Sequence, residues 1–264
     1  MTARAFDLRR TRIVLRERSV AEVLDLALRF VVVNARTYAA VAAVALVPAA
    51  LACAVAGDRL GWRSGWALAA VLALAADVPF TLLASRLVFD DRVRARDVLR
   101  DALPSAGRVV ALRLAALPLV AILLLALVVP GVWLATTLLF ATEVALLEQA
   151  GLGRVFGRAA RLASSAPSGA VLGLGALLLL AVAGVLFVDV AGRALIGEIL
   201  LFQPPRPVWS TGGGVLPVLG LFLAIPYLAT ARLLLYLNVR TRTEGWDIQV
   251  RFAALAARDG TEER

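Results

Sequence analysis

The stretch LLLYLNVRTRTEGWDIQVRF, residues 233–252, passes from an unbroken apolar run into arginines and a Glu-Gly-Trp-Asp turn. An apolar helix that ends in basic residues is typical of the cytoplasmic end of a membrane span, because positive charge is retained on that side. The stretch therefore predicts a last span that ends at the leucines, with Arg240 and Arg242 among the inner headgroups. After it we expect a tail along the membrane, with Asp247 and Arg251 paired four residues apart.

The composition extends this interpretation to the whole chain, since 61% of its 264 residues are hydrophobic. A soluble domain averages roughly 45–50% apolar residues, so several segments must lie in lipid. The apolar runs predict six spans, at about 37–56, 66–88, 109–129, 132–148, 170–190 and 215–237. The predicted fold class is therefore all-α, a polytopic membrane helix bundle of about six transmembrane helices plus interfacial amphipathic helices.

The stretch SVAEVLDLALRFVVVN, residues 19–34, opens with a capping box in which Ser19 caps the helix and Glu22 reaches back. Apolar positions recur at helical spacing, while Asp25 and Arg29 form a polar pair. This pattern predicts a helix in the headgroup plane rather than a span. The predicted organisation is a cytoplasmic N-terminal tail over 1–18, a six-span membrane domain over 19–238, and a cytoplasmic amphipathic tail over 239–264.

Two proline signals set the predicted ends of helices. Residues 90–103 carry too much charge to span, and Pro104 is expected to end their helix before the third span. Pro130 and Gly131 predict a tight turn between the third and fourth spans. The basic connection 151–169 predicts one short helix.

The arginines assign the two sides of the membrane. All 28 basic residues are arginine, and 24 of the 28 fall on the side of the two termini. The other side has only Arg59, Arg63, Arg193 and Arg206. Because positive charge is retained in the cytoplasm, we expect both termini there and the protein in a bacterial cytoplasmic (inner) membrane.

Four stretches follow one another in a recognisable order: SVAEVLDLALRF (19–30), PGVWLATTLLFATEVALLEQAG (130–151), GRVFGRAARLASS (153–165) and LLYLNVRTRTEGWDIQ (234–249). Together they resemble the membrane domain attached to some bacterial glycerophosphodiester phosphodiesterases. The chain departs from the pattern at Asn238, where Asp is usual, and at Ala159, where Ser often follows the arginine. The resemblance implies a multi-pass membrane protein. It carries no catalytic residue to this chain, because the phosphodiesterase is a separate barrel with catalytic histidines.

Three acids lie inside predicted spans: Asp77, Glu143 and Asp189. An acid in hydrocarbon costs about 2.5–3.5 kcal/mol on insertion scales, so such residues often carry function. One hypothesis is a proton or cation path, or a charge pair with Arg113 or Arg232. The alternatives differ: Asp77 binds backbone groups freed by the next proline, Glu143 reaches the cytoplasmic headgroups, and Asp189 is wetted at the outer end of its span.

The basic connections form a second candidate site, because each arginine near an anionic surface contributes about 1 kcal/mol. The candidates for contact with anionic lipid or a partner are Arg92, Arg94, Arg96, Arg154, Arg158, Arg161, Arg240 and Arg242. The alternatives are ordinary topology-setting charge, or a local ion network between Glu148 and the arginines of 151–169.

Motifs for catalysis are missing from the sequence. There is no histidine, the commonest general base and metal ligand, and the one cysteine, Cys53, lies in an apolar run. GLGRVFG lacks the Gly-Lys-Ser/Thr of a P-loop, and Gly169-x-x-x-Gly173 fits close helix packing. We therefore expect no catalytic residue, no metal and no cofactor.

The leading hypothesis from the sequence is a non-enzymatic accessory or envelope-supporting membrane module. It would contact anionic lipid and a protein partner or a second copy, and no nucleic acid. The alternative is a transporter or channel for a small or amphipathic solute, shaped by Asp77, Glu143 and the prolines at 48, 79 and 226. A lipid-modifying enzyme is a third possibility, which needs two acids in an aqueous cavity near the headgroups. The solute, the partner and the oligomeric state stay open.

Overall fold

The computed structural model describes residues 18–90, 93–148 and 152–244, and all regular structure in these ranges is helical. The helices are α1 (Val20–Val33), α2 (Ala35–Leu60), α3 (Trp62–Phe89), α4 (Ala95–Ala126), α5 (Val128–Leu147), α6 (Leu152–Ser165), α7 (Pro167–Ala194), α8 (Val208–Thr211) and α9 (Val215–Glu244). One π-helical turn, Leu195–Ile199, continues α7. Predictions about the tail before residue 18, Arg92 and the Asp247–Arg251 pair lie outside the described residues.

Six of these helices are long and apolar enough to cross a membrane: α2, α3, α4, α5, α7 with its π turn, and α9. The shortest, α5, has 20 residues, which at about 1.5 Å per residue matches the roughly 30 Å of a bilayer core. The prediction of an all-α bundle with six spans is confirmed, and the chain is a multi-pass membrane protein.

The helix α1 begins as the sequence predicts. The Ser19 hydroxyl accepts the Glu22 N–H at 3.3 Å, and the Glu22 carboxylate accepts the Ser19 N–H at 2.8 Å. Asp25 and Arg29 are paired at 3.0 Å on the exposed side. The apolar side of α1 packs mainly on α9, so the helix is held by the bundle as well as by its own capping.

Pro104 does not end a helix, contrary to the prediction. The helix α4 runs without a break through Pro104, so the charged stretch and the third span are one element. A proline removes the helical bond to the carbonyl four residues earlier, which is that of Arg100. Both residues are exposed, so this carbonyl lies at the surface and the helix continues across the proline.

Pro130 and Gly131 do not form a turn either, because they lie in the first turn of α5. The chain reverses at Leu127, whose backbone is extended (φ −150°, ψ 105°). Pro130 is tolerated there because first-turn N–H groups have no helical acceptor. Gly131 permits a close approach, since a Cβ would lie 2.6 Å from the backbone nitrogen of Leu124. The Pro-Gly pair therefore marks the tight contact between α4 and α5.

The helix α9 lies at the centre of the bundle and contacts α7, α3, α1 and α2. About half of the apolar length of α3, α5 and α9 is buried, whereas α2, α4 and α7 leave most of theirs for lipid. The helices α7 and α9 cross closely, because a Cβ on Gly220 would lie 2.7 Å from the Gly184 carbonyl oxygen. Of the predicted packing pair, Gly173 packs against Leu235, while a Cβ on Gly169 would meet nothing within 4 Å.

The last span continues beyond its predicted end, because α9 remains helical to Glu244. The predicted tail boundary at 239 therefore falls inside this helix. The Asn238 side chain accepts the Arg18 N–H and donates to the Arg18 carbonyl, both at 3.0 Å. Arg242 donates to the same carbonyl at 3.0 Å. These bonds fasten the chain before α1 to the end of α9.

Alternating spans place the helix ends on two faces of the bundle. One face, which we call the arginine-rich end, carries α6, the start of α4 and the end of α9. The opposite end carries the turns at Gly61 and Leu127 and the segment 200–214. Gly61 has φ +89°, a conformation that glycine adopts without strain. The Trp66 indole donates to the Gly212 carbonyl at 3.1 Å and ties the segment to α3.

Candidate functional site

Four charged side chains from four different spans meet inside the bundle. Asp77 belongs to α3, Arg113 to α4, Glu143 to α5 and Arg232 to α9, and we call these four residues the charge cluster. Arg113 Nη2 and Arg232 Nη2 both donate to Asp77 Oδ2, each at 2.7 Å. Arg232 also donates through Nε to Glu143 Oε1. The two acids, which no sequence spacing could bring together, therefore share one guanidinium group.

Two threonine hydroxyls complete the contacts of the arginines. Arg232 Nη2 donates to Thr81 Oγ1 at 3.0 Å, and Arg113 Nε donates to Thr142 Oγ1 at 3.0 Å. Sequence reasoning named both arginines as candidate partners of the acids, but it missed the threonines. The available signal was position: Thr81 lies one helical turn after Asp77, on the same helix face.

The charge cluster is balanced, with two guanidinium groups and two carboxylates, which lowers the penalty of placing charge in hydrocarbon. The Glu143 side chain is fully buried, so the expectation that it reaches the headgroups is wrong. The side chains of Asp77, Arg113 and Arg232 keep 10%, 17% and 12% exposure. The cluster is therefore largely buried but not fully sealed, and Arg113 is its most exposed member.

A second polar group surrounds Glu148, at the end of α5 and nearer the arginine-rich end. The Tyr236 hydroxyl donates to Glu148 Oε1 at 2.9 Å, and Arg158 Nε donates to its two oxygens at 3.3 and 3.2 Å. Arg240 Nη1 donates to the Tyr236 hydroxyl at 3.2 Å. Of the arginines in 151–169, Arg158 is thus the one that bonds Glu148, and Arg240 joins this group from α9. Because Tyr236 lies one turn after Arg232, the two polar groups are neighbours.

Asp189 does not belong to the charge cluster. It lies near the opposite end of α7 with only 2% of its side chain exposed, so the expectation of a wetted acid is wrong. Arg193 Nη2 lies 3.2 Å from Asp189 Oδ2, and the Val208 N–H donates to the same oxygen at 3.5 Å. The Arg193 guanidinium also lies 4.8 Å from the centre of the Trp209 ring. Asp189 therefore fastens the segment 200–214 to α7.

The candidate arginines divide into exposed and half-buried groups. The exposed ones, all at the arginine-rich end, are Arg94, Arg96, Arg154, Arg161 and Arg242. Arg158 and Arg240 are half-buried around Glu148. The helix α6 is amphipathic: one side packs on α5 and includes the fully buried Ala159, where a serine would have to bury a hydroxyl. Its basic side faces outward.

No family model, no curated protein and no solved structure matches this chain. Within the described ranges, no three His, Cys, Asp or Glu side chains are grouped as a metal ion would require. The chemistry available to the site therefore follows from its own groups. Guanidinium groups can exchange one anionic partner for another, and a carboxylate can hold or release a proton.

Proposed function

We propose that this membrane protein is a non-enzymatic transporter of a small solute, with the charge cluster as its working polar site. The observation that carries the proposal is the meeting of Asp77, Arg113, Glu143 and Arg232 within the spans. Charged groups at this depth are rare in membrane proteins and mark substrate or ion pathways. This meeting of charges supports transport over the supporting module that the sequence alone favoured.

Energetic reasoning supports a working role over a purely structural one. Replacing a buried ion pair by apolar residues of similar volume is often neutral or stabilising, so stability alone is a weak reason to keep four charges. The cluster is also flanked by prolines inside spans, since Pro79 follows Asp77 by two residues and Pro226 precedes Arg232 by six. Each proline frees one backbone carbonyl within a span. Free backbone carbonyls are among the groups that line binding sites in transporters.

Osmotic swelling of proteoliposomes tests the proposal. We expect the wild-type protein to admit at least one member of a panel of small organic acids, amino acids and polyols. Asp77→Asn and Glu143→Gln should each reduce the swelling rate about tenfold or more, whereas Asp189→Asn, outside the cluster, should leave it unchanged. Swelling that survives both cluster substitutions, or a wild type that admits no solute, would refute transport through the cluster.

The exposed arginines favour a second candidate function, a supporting module that binds anionic lipid and a protein partner or a second copy. If positive charge is retained in the cytoplasm, the arginine-rich end faces the inner leaflet of a bacterial cytoplasmic membrane, with both termini inside. A relation to the membrane domain attached to glycerophosphodiester phosphodiesterases would supply one class of partner. This candidate is compatible with transport, because it uses a different surface.

Co-purified lipid tests the second candidate. Joint substitution of Arg154→Gln and Arg161→Gln should lower the ratio of anionic to zwitterionic phospholipid retained in mild detergent, by about fivefold for each arginine. The matched control is Arg63→Gln at the opposite end, which should leave the ratio unchanged. An unchanged lipid ratio in the variant with both Arg154→Gln and Arg161→Gln would show that these arginines do not bind anionic lipid.

A further inference from the structure

One carboxylate oxygen of the charge cluster has no hydrogen-bond partner among the described residues. Glu143 Oε1 accepts from Arg232, but Oε2 is buried and accepts no hydrogen bond from the part of the chain that the structure describes. Both lone pairs of an ionised, buried oxygen need donors, and an unmet acceptor is costly in a low-dielectric site. A proton on this oxygen would remove the charge that requires those donors. Glu143 is therefore the position in the cluster where protonation is best accommodated.

The charge count shows what must accompany that proton. The cluster has two guanidinium groups and two carboxylates, so protonation of Glu143 alone would leave a net charge of about +1 within the hydrocarbon. A monovalent anion entering with the proton restores neutrality, whereas a dianion leaves an excess negative charge. A carboxylate is also planar and matches the fork of an arginine side chain.

We infer that the charge cluster binds one proton on Glu143 together with one small monocarboxylate, which takes the place of Glu143 on Arg232. The step forms and breaks no covalent bond within the protein. The proton comes from hydronium or a buffer acid, whose conjugate base stays in solution, and goes to Glu143 Oε2. The hydrogen bond from Arg232 Nε to Glu143 Oε1 breaks, and Nε donates to the incoming carboxylate instead. Arg113, whose side chain is the most exposed of the cluster at 17%, gives the anion access. The inference rests on the proposed transport function and names its substrate class and coupling ion.

In the inferred step the proton reaches Glu143 from the side of the Glu148 network. The Glu148 side chain keeps 19% exposure at the arginine-rich end, and it accepts a hydrogen bond from Tyr236. Tyr236 lies one turn from Arg232, beside the cluster. The charged and titratable groups that face Glu143 are Asp77 from α3, Arg113 from α4, and Arg232 and Tyr236 from α9. From α6, Arg158 reaches Glu148, and the charges of α7 lie at the opposite end.

Calorimetric titration of the protein in lipid nanodiscs tests the inference directly. Sodium formate, acetate and lactate are the probes, with sodium chloride at equal ionic strength as the control. Titration in buffers of different ionisation heat gives the number of protons bound with each anion. We expect about one proton per carboxylate, and an affinity that falls about tenfold for each unit of rising pH while Glu143 is ionised.

Two variants separate the proton from the anion. Glu143→Gln mimics the protonated acid, so it should bind the carboxylate without proton uptake and with little dependence on pH. Asp189→Asn should behave as wild type. Binding of no probe up to about 100 mM, or wild-type binding without proton uptake, would overturn the inference. Binding with proton uptake but without solute entry into proteoliposomes would refute transport alone.

Discussion

Replacement of Arg232 by Gln should strongly destabilise the membrane domain. Arg232 donates hydrogen bonds to Glu143, Asp77 and Thr81, so its loss breaks contacts to α5 and α3 at once. Among the described residues, Glu143 then has no donor for either oxygen, while Asp77 keeps Arg113. Removing one partner of a buried ion pair destabilises a protein by about 3–5 kcal/mol, because the other charge is left uncompensated. We expect Arg232→Gln to lower the free energy of unfolding by that amount.

The double variant makes the prediction sharper. Glu143→Gln added to Arg232→Gln removes the stranded carboxylate and returns the cluster to neutrality. The double variant should therefore be about 2 kcal/mol more stable than Arg232→Gln alone, although it carries one more substitution. If the two sites were independent, the second substitution would instead lower the stability of Arg232→Gln further.

Unfolding by SDS in mixed micelles, followed by circular dichroism, measures both free energies. The control is Arg63→Gln, since Arg63 is exposed at the opposite end and its loss should change stability by less than about 0.5 kcal/mol. Destabilisation by less than about 1 kcal/mol in Arg232→Gln, or a further loss on adding Glu143→Gln, would show that the cluster does not hold the helices together in this way.

Three further predictions concern other parts of the chain. Gly220→Ala should push α7 away from α9 at the Gly184 carbonyl and lower the free energy of unfolding by about 1–3 kcal/mol in the same SDS titration. The control is Gly175→Ala, whose added methyl group meets open space and should not change stability. Equal effects of the two substitutions would contradict the close crossing of α7 and α9. Asn238→Asp should remove the hydrogen bond to the Arg18 carbonyl, because a carboxylate cannot donate one. Proteolysis of the chain before α1 should then be faster. An unchanged cleavage rate would show that Asn238 does not hold this part of the chain to α9. Fluorescent-protein and alkaline phosphatase fusions at the two termini should both report the cytoplasmic side, and a split result would contradict the assigned orientation.

Much of the fold could be predicted from the sequence because the strongest signals were local. Apolar runs indicated all six spans, and the capping box at Ser19 indicated the start of α1. The errors came from prolines, whose effect depends on the surroundings. Pro104 lies on an exposed helix face where the freed carbonyl is at the surface, and Pro130 occupies a first turn where no bond is lost. Neither circumstance can be read from spacing.

The site could be predicted only in part, because its contacts join residues distant in sequence. Asp77 and Glu143 could be named as candidates because they lie inside predicted spans, and Arg113 and Arg232 could be named as their charge partners. It could not show that one guanidinium group serves both acids, which depends on how α3, α5 and α9 pack. Asp189 was named with them for the same reason, although it pairs within its own helix with Arg193, one turn away.

A single cysteine placed beside the charge cluster tests the central claim most directly. Thr142→Cys keeps the side-chain volume and contacts Arg113, and Cys53→Ala removes the one native thiol, which is buried. If the cluster is the solute site of a transporter, a small membrane-impermeant thiol reagent should label the cysteine when it is added outside sealed vesicles, and also when it is enclosed inside them. It should label faster when a transported carboxylate is absent. A cysteine that reacts from neither side until the protein is denatured would contradict transport and leave the cluster a structural joint between helices.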